Sequence, residues 1–221
     1  MEKKQFAVLG LGNFGYSVAK EMQKEDCEVI AVDHIAERVQ AIADDVSYAM
    51  RADIGDQEVM RTLGARNLDG VVIAVAENME ASIMATLACV ELGVPNIVAK
   101  ANNEIHAKIL EKIGVKKQNI VYPEKEMGKR VAAKMVNEYV TDLWELSDDY
   151  QIIGIDVPRA WVGKSLEDLD LRKVHDLNVV CVVKGEDVDV NPDPKKVLEE
   201  DSKLTIIGAN DSLNKLKRKN Q

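Results

Sequence analysis

The sequence predicts an α/β protein: a Rossmann-like doubly wound parallel sheet, then a crossover helix and a small α+β lobe. Three observations carry this expectation. Short Val- and Ile-rich runs alternate with helix-length amphipathic stretches through the first 120 or so residues, the first run breaks into three closely spaced glycines, and after "YPEKEMG" the alternation stops. Continuous apolar runs suit strands covered on both faces, and strict β-α alternation at this spacing is the pattern of a doubly wound sheet.

The strands are expected at 5–10 ("QFAVLG"), 27–33 ("CEVIAVD"), 46–53, 69–76 ("DGVVIAVA"), 96–101 ("NIVAKA") and 119–122, with helices at 14–25, 35–44, 56–64, 78–92 and 103–113. The stretch 124–138 is strongly helix-forming and puts Met127, Val131, Met135 and Glu138 on one mostly apolar face. "YVTDLWELSDD", with Trp144, follows as a short apolar segment suited to packing on a neighbouring domain or subunit. From Tyr150 the texture changes to strand-like pieces around one helical element, "SLEDLDLRKVHD", and the basic tail "KLKRKNQ" is expected to fray. The organisation read from this is a sheet unit at 1–122, a crossover helix and hinge at 123–145, and a second lobe at 146–221.

A chain of 221 residues with 46% hydrophobic but only 4% aromatic residues builds an aliphatic core without staples. Its 29 basic and 38 acidic residues leave a net charge of −9, which argues against broad nucleic-acid binding. Cys27, Cys89 and Cys181 stand far apart in apolar or helical patterns, without metal-site spacing, and read as core thiols of a reducing compartment. "MEKKQFAVLGLG" enters a strand directly and no stretch is long enough to span a bilayer, so the expectation is a cytoplasmic protein that meets a membrane only through a partner.

Gly10, Gly12 and Gly15 form G-x-G-x-x-G between the first strand and the first helix. Gly10 permits the tight turn, Gly12 lets a phosphate approach the backbone, and Gly15 lets helix and strand pack closely, while the helix N-terminus offers N–H groups and positive dipole to an anion. Asp33 ends the second strand 18 residues after Gly15, where an acidic side chain meets a ribose hydroxyl; the competing role is an N-cap for the next helix. Its charge also opposes a 2′-phosphate, which leaves NAD(H), ATP, ADP or AMP. Asp53, in "ADIGD", suits either an adenine-edge contact or capping, and Lys100 either a terminal phosphate or solvent.

A dehydrogenase needs a proton-transfer group beside the hydride position. The three histidines, His34, His106 and His175, stand in no recognisable catalytic setting, and G-x-S-x-G, HExxH and Walker-type loops are absent from the sequence. A nucleotide site without chemistry reads as a sensor.

The series "FAVLGLGNFGYSVAKEM…VIAVD…ADIGD…VVIAVAENMEASI…NIVAKANNEIHAKILEKIG…VYPEKEMGKRVA", followed by "GKSLEDLDLRKVHDLNVVCVVKG", resembles the cytosolic RCK subunits (regulators of potassium conductance) of bacterial Ktr-type potassium uptake systems. "YPEKEMG" and "AENMEAS" carry the resemblance more specifically than the glycines do. It implies a homo-octameric ring, assembled from dimers, that docks on a membrane potassium channel and gates it when ATP or ADP binds the N-terminal lobes. By position, Gly10, Gly12 and Gly15 cradle the phosphates, Asp33 holds the ribose, Asp53 lies near the adenosine and Lys100 faces the terminal phosphate; Asn13, Phe14, His34, Ile54 and Ala76 line the same site. Glu124 corresponds to a glutamate that helps hold a divalent cation such as Mg2+ beside ATP at the dimer interface, and a first-turn carboxylate favoured by the helix dipole explains it equally well.

One position departs from the pattern. Many Ktr relatives carry arginine where this chain has Asn13, an amide without charge, and charge-assisted hydrogen bonds are roughly twice as strong as neutral ones. ATP is then less sharply distinguished from ADP, and NAD(H) stays a candidate ligand. In the second lobe the resemblance implies a cyclic di-AMP site at Leu166, Arg172, Asn178 and Val179, with Pro194 beside them; core packing of Leu166 and Val179 and a solvated Arg172 is the alternative. An NAD(H)-dependent oxidoreductase or redox-sensing subunit, and a purely structural ring subunit, are the competing functions. Asp33→Ala is expected to abolish nucleotide binding and leave the fold intact.

Overall fold

The computed structural model describes residues 3–219, which divide into two compact units at Pro123 and Glu124. In the first, β1 (Gln5–Leu9), β2 (Glu28–Asp33), β3 (Tyr48–Arg51), β4 (Gly70–Ile73), β5 (Ile97–Lys100) and β6 (Ile120–Val121) pair in parallel in the order β3-β2-β1-β4-β5-β6. The connections carry α1 (Asn13–Lys24), α2 (Ala36–Ile42), α3 (Gln57–Thr62), α4 (Met79–Glu91) and α5 (Glu104–Lys112). The apolar runs have the expected cause. In β1, Ala7 and Leu9 enter one core with Met60, Ile73 and Leu110, while Val8 between them enters a second core with Ala19, Ala31 and Ile42. Because β1 pairs with β2 on one side and β4 on the other, the winding reverses beside β1, and a crevice opens at the carboxyl ends of these strands, where such sheets bind ligands.

The second unit contains α6 (Pro123–Val136), most of which lies in it, and an antiparallel sheet. Its strands β7 (Val140–Glu145), β8 (Tyr150–Asp156), β9 (Leu177–Lys184), β10 (Asp187–Asp189) and β11 (Ser202–Ala209) lie in the order β10-β9-β11-β8-β7. Two short helices, α7 (Leu166–Leu169) and α8 (Leu171–His175), precede β9, and α9 (Asn210–Lys219) follows β11. Ile153, Leu177, Leu204, Ile206 and Leu213 form the centre of its core.

Four local expectations change. The Trp144 segment is an edge strand of the second sheet, paired on one side with β8, Val140 opposite Ile155 and Trp144 opposite Ile152. The Arg130 guanidinium lies 5.6 Å from the Trp144 ring centroid and donates twice to Asp142, so α6 is tied to β7. "SLEDLDLRKVHD" breaks into α7 and α8: a reciprocal Ser165–Asp168 capping box opens the first helix, and Asp170, at φ +41°, ends it. The basic tail continues into α9, where Leu213 and Leu216, three residues apart on one face, are buried in the core; the last two residues of that tail lie outside the described residues. Only Cys89 is fully enclosed, burial pushing its thiol pKa up to about 12, whereas Cys27 and Cys181 are half-buried. The apolar face of α6 is solvent-facing within the chain: Met127, Val131 and Met135 are all exposed. Among the described residues no helix is long and apolar enough to cross a membrane.

Candidate functional site

The three glycines have different reasons to be glycine. Gly10 adopts φ +96°, and a Cβ there would stand 2.3 Å from Val75 Cγ2; a Cβ at Gly15 would stand 1.9 Å from the Gly10 carbonyl oxygen. Both are demanded by the turn and by the approach of α1 to it. Gly12 is not: no heavy atom lies within 4 Å of the place its Cβ would take, and its backbone, φ −65° and ψ 179°, suits any residue. The open space lies where α1 begins. Gly12 is the N-cap of α1, supplies no side-chain acceptor, and the first turn contains no acidic residue. By contrast Asp56, Asn78 and Asn103 cap α3, α4 and α5 with side-chain oxygens. The first turn of α1 therefore has no side-chain cap, and open space stands beside Gly12 at the positive end of the helix dipole, an arrangement that fits a phosphate. Asn13 is exposed at the first helical position and Phe14 is half-buried against the core on that side.

Asp33 is drawn into the turn itself. It is 2% exposed; Oδ2 accepts from the Leu11 N–H at 2.7 Å and lies 3.4 Å from Arg38 Nη1, and Oδ1 accepts from the Ile35 N–H at 2.8 Å. Burial raises its pKa, but the two amides and the Arg38 charge outweigh it and hold the carboxyl below the usual range. The N-cap of α2 is Ile35, so Asp33 does not cap that helix. It joins the end of β2 to the glycine turn, and a ribose hydroxyl would share oxygens that already serve the backbone. Removing the side chain would strand two amides, which corrects the expectation that Asp33→Ala leaves the fold untouched. His34 is exposed beside it, its ring Nδ1 3.3 Å from Asp33 Oδ1, and its carbonyl accepts from Arg51 Nε at 3.1 Å.

Asp53 is exposed and closes a tight turn by accepting from the Gly55 N–H at 2.9 Å; Asp56, not Asp53, is the cap of α3. The Ile54 side chain is buried in the core. Ala76, just beyond β4, is buried and its carbonyl accepts from Asn102 Nδ2 at 2.9 Å. Lys100 ends β5 in register with Val121 and is half-buried. Glu124 is exposed in the first turn of α6 directly after Pro123. Among the described residues no group of three or more His, Cys, Asp or Glu could hold a metal ion, so a cation at Glu124 would need ligand oxygens or a second subunit.

In the second unit the Glu167 N–H donates to the Pro194 carbonyl at 2.8 Å, and Leu166 lines a cavity of about 50 Å3 together with Val182 and Pro192, whereas Pro194 does not line it. Arg172, Asn178 and Val179 do not line it. Arg172 and Asn178 are exposed, and Val179 packs against the core. The sequence reading passed over Arg38, Arg51 and Asn102. An arginine shortly after an acidic strand end is a usable signal for the first; the other two act across the sheet and leave no local trace.

Comparison with known proteins follows this architecture. Residues 6–123 match the TrkA-N domain and residues 150–220 the TrkA-C domain. The chain is 40% identical over 207 residues, 94% of its length and 93% of the relative's, to Ktr system potassium uptake protein C of Bacillus subtilis (strain 168). It is 37% identical over 208 residues, 94% and 93% of the two chains, to Ktr system potassium uptake protein A of the same organism. Its fold also matches a GsuK channel structure bound to NAD, with a TM-score of 0.65 and 16% identity over 96% of this chain and 38% of that one. With a TrkA-N sheet unit followed by a TrkA-C lobe, and that identity along nearly its whole length, the chain belongs to the family of Ktr potassium uptake regulatory subunits.

Proposed function

We propose that this chain is a non-catalytic, nucleotide-sensing gating subunit of a potassium uptake channel. ATP or ADP binds at the glycine turn of the first unit, in a cytoplasmic homo-octameric ring docked on a membrane channel subunit. The observation that carries this is the spare glycine. Gly10 and Gly15 are required by the chain's own packing, whereas Gly12 leaves open space over an uncapped helix N-terminus, as an arriving phosphate requires. Lys100, Asp53 and Ala76 stand at the carboxyl ends of the neighbouring strands or just beyond them, where the rest of the nucleotide would extend. Mg2+ at Glu124, bridging nucleotide and partner subunit, and cyclic di-AMP beside Leu166, Arg172, Asn178, Val179 and Pro194 complete the proposal.

A ligand shifts such an assembly only if it binds two conformations unequally. Phosphates and a cation shared between two subunits would do so, because changing the phosphate number changes the attraction across the interface. NAD(H) is the second reading, favoured by the fold neighbour solved with NAD; it would occupy the same cradle as a regulatory ligand. Calorimetric titration of the purified chain with ATP, ADP, AMP, NADH and cyclic di-AMP, with and without magnesium, tests the proposal. Binding of ATP and ADP with different affinities, and a difference in channel flux between them, is the expected result. Absence of binding by every adenosine ligand, or hydride transfer to an added substrate, would overturn it.

A further inference from the structure

Among the described residues, the buried side-chain polar atoms without a hydrogen-bond partner are the Ser82 hydroxyl and both ring nitrogens of His106. Both residues are fully enclosed. Ser82 carries no charge at any physiological pH, but an imidazole can take up a proton. His106 is the third residue of α5, where the aligned peptide dipoles oppose a positive charge, and its neighbours Ala107 and Leu110 belong to the apolar core. Burial keeps its pKa below the ordinary histidine value. The helix and strand packed most heavily on α5 are α4 and β6. Their titratable groups are Glu80, Cys89 and Glu91 on α4 and Tyr122 just beyond β6; Lys100 ends β5, and α5 itself carries Glu104, Lys108, Glu111 and Lys112. None of these charges displaces the ring's titration, for which burial is the sole cause.

A short chain of contacts leads from the helical turn that carries this imidazole to the glycine turn. The His106 backbone N–H donates to Asn103 Oδ1 at 2.8 Å, and the side chain of the adjacent Asn102 donates to the Ala76 carbonyl at 2.9 Å. Ala74 and Val75, immediately before Ala76, are the residues against which Gly15 and Gly10 have no room for a Cβ.

We propose that His106 is a proton-operated latch on the nucleotide cradle: on taking a proton from solvent the imidazole leaves its apolar seat, the first turn of α5 loosens, Asn102 releases Ala76, and the anion site at Gly12 weakens. The nucleotide half of this proposal rests on the function proposed above. The direction follows from linkage. A histidine held neutral by the fold contributes its full stabilisation above about pH 6.5 and loses it as the pH falls from there toward the lowered native value. Acidification therefore favours the open form.

The test uses the full chain. Imidazole nitrogen shifts of His106 are followed by NMR through a pH titration. ADP affinity is measured by calorimetry at about pH 7.5 and pH 5.5 for the native chain, His106→Leu, His106→Gln and Ser82→Ala. The expected result is that His106 stays neutral below the ordinary histidine range, and that the native chain loses ADP affinity on acidification, by up to about tenfold. His106→Leu should lose markedly less, since the titration of ADP's own phosphate is common to both, and Ser82→Ala should behave as native. Should the leucine variant not fold, the glutamine variant and the native NMR titration decide. Titration of His106 at the ordinary histidine value, or an undiminished pH loss in the variants, would overturn the latch. Absence of ADP binding at either pH would overturn the nucleotide reading together with this coupling, while amide exchange in the first turn of α5 against pH would still report whether the turn opens on protonation.

Discussion

The Leu11 amide donates to Asp33 Oδ2 at 2.7 Å, so the carboxylate that ends β2 holds the glycine turn that follows β1. The same side chain receives the Ile35 amide through its other oxygen. Asp33 thus supports the shape of the cradle before any ligand arrives.

Asp33→Ala is expected to lower the stability of the first unit by about 3 kcal/mol, since stranding the buried Leu11 amide costs roughly 1–3 kcal/mol and the part-buried Ile35 amide adds a smaller loss. Asp33→Asn, which retains one acceptor, should cost less. Urea unfolding followed by circular dichroism measures both. The carboxylate's pKa is held low, so its contribution is complete above about pH 4 and is lost as the pH falls toward the lowered native value. The native chain should show that acid loss of stability, and the Asn variant should show less of it.

Gly12→Ala and Gly15→Ala should separate ligand binding from folding. The first adds a methyl to open space in an ordinary backbone conformation, so stability should stay within about 0.5 kcal/mol while ADP affinity falls at least about tenfold. The second drives a Cβ to 1.9 Å from the Gly10 oxygen and should cost about 3 kcal/mol. Thermal unfolding and calorimetry on the two variants give the comparison; equal affinity in Gly12→Ala and the native chain would remove the phosphate from that position.

Leu213→Ala should destabilise the second unit by about 3 kcal/mol, because the side chain is completely buried under β11 and a cavity would replace it. Denaturant unfolding read through Trp161, a member of the same core, reports the outcome.

The three thiols should fall into two classes. At about pH 8 a disulfide reagent should modify Cys27 and Cys181 readily and Cys89 only as the first unit opens, since burial excludes the reagent and holds that thiol's pKa near 12. Equal rates for all three would contradict the packing around Cys89.

Much of this protein is written in short-range pattern. The alternation of apolar runs with amphipathic stretches specifies a parallel sheet covered on both faces, because each strand must feed two cores, as Val8 and Leu9 do in adjacent positions. The glycine triplet announces the turn because backbone conformation and close approach are properties of a few consecutive residues. Which glycine is spare, and what Asp33 is bonded to, are different matters. They depend on groups brought together across the sheet: Val75 against Gly10, Leu11 against Asp33, Asn102 against Ala76. The tertiary structure alone decided that Trp144 lies on an edge strand, that the basic tail belongs to a helix and puts Leu216 in the core, and that His106 is sealed without a partner. A residue's intrinsic preference is local, but burial and hydrogen-bond partners are set by the chain that returns from far away.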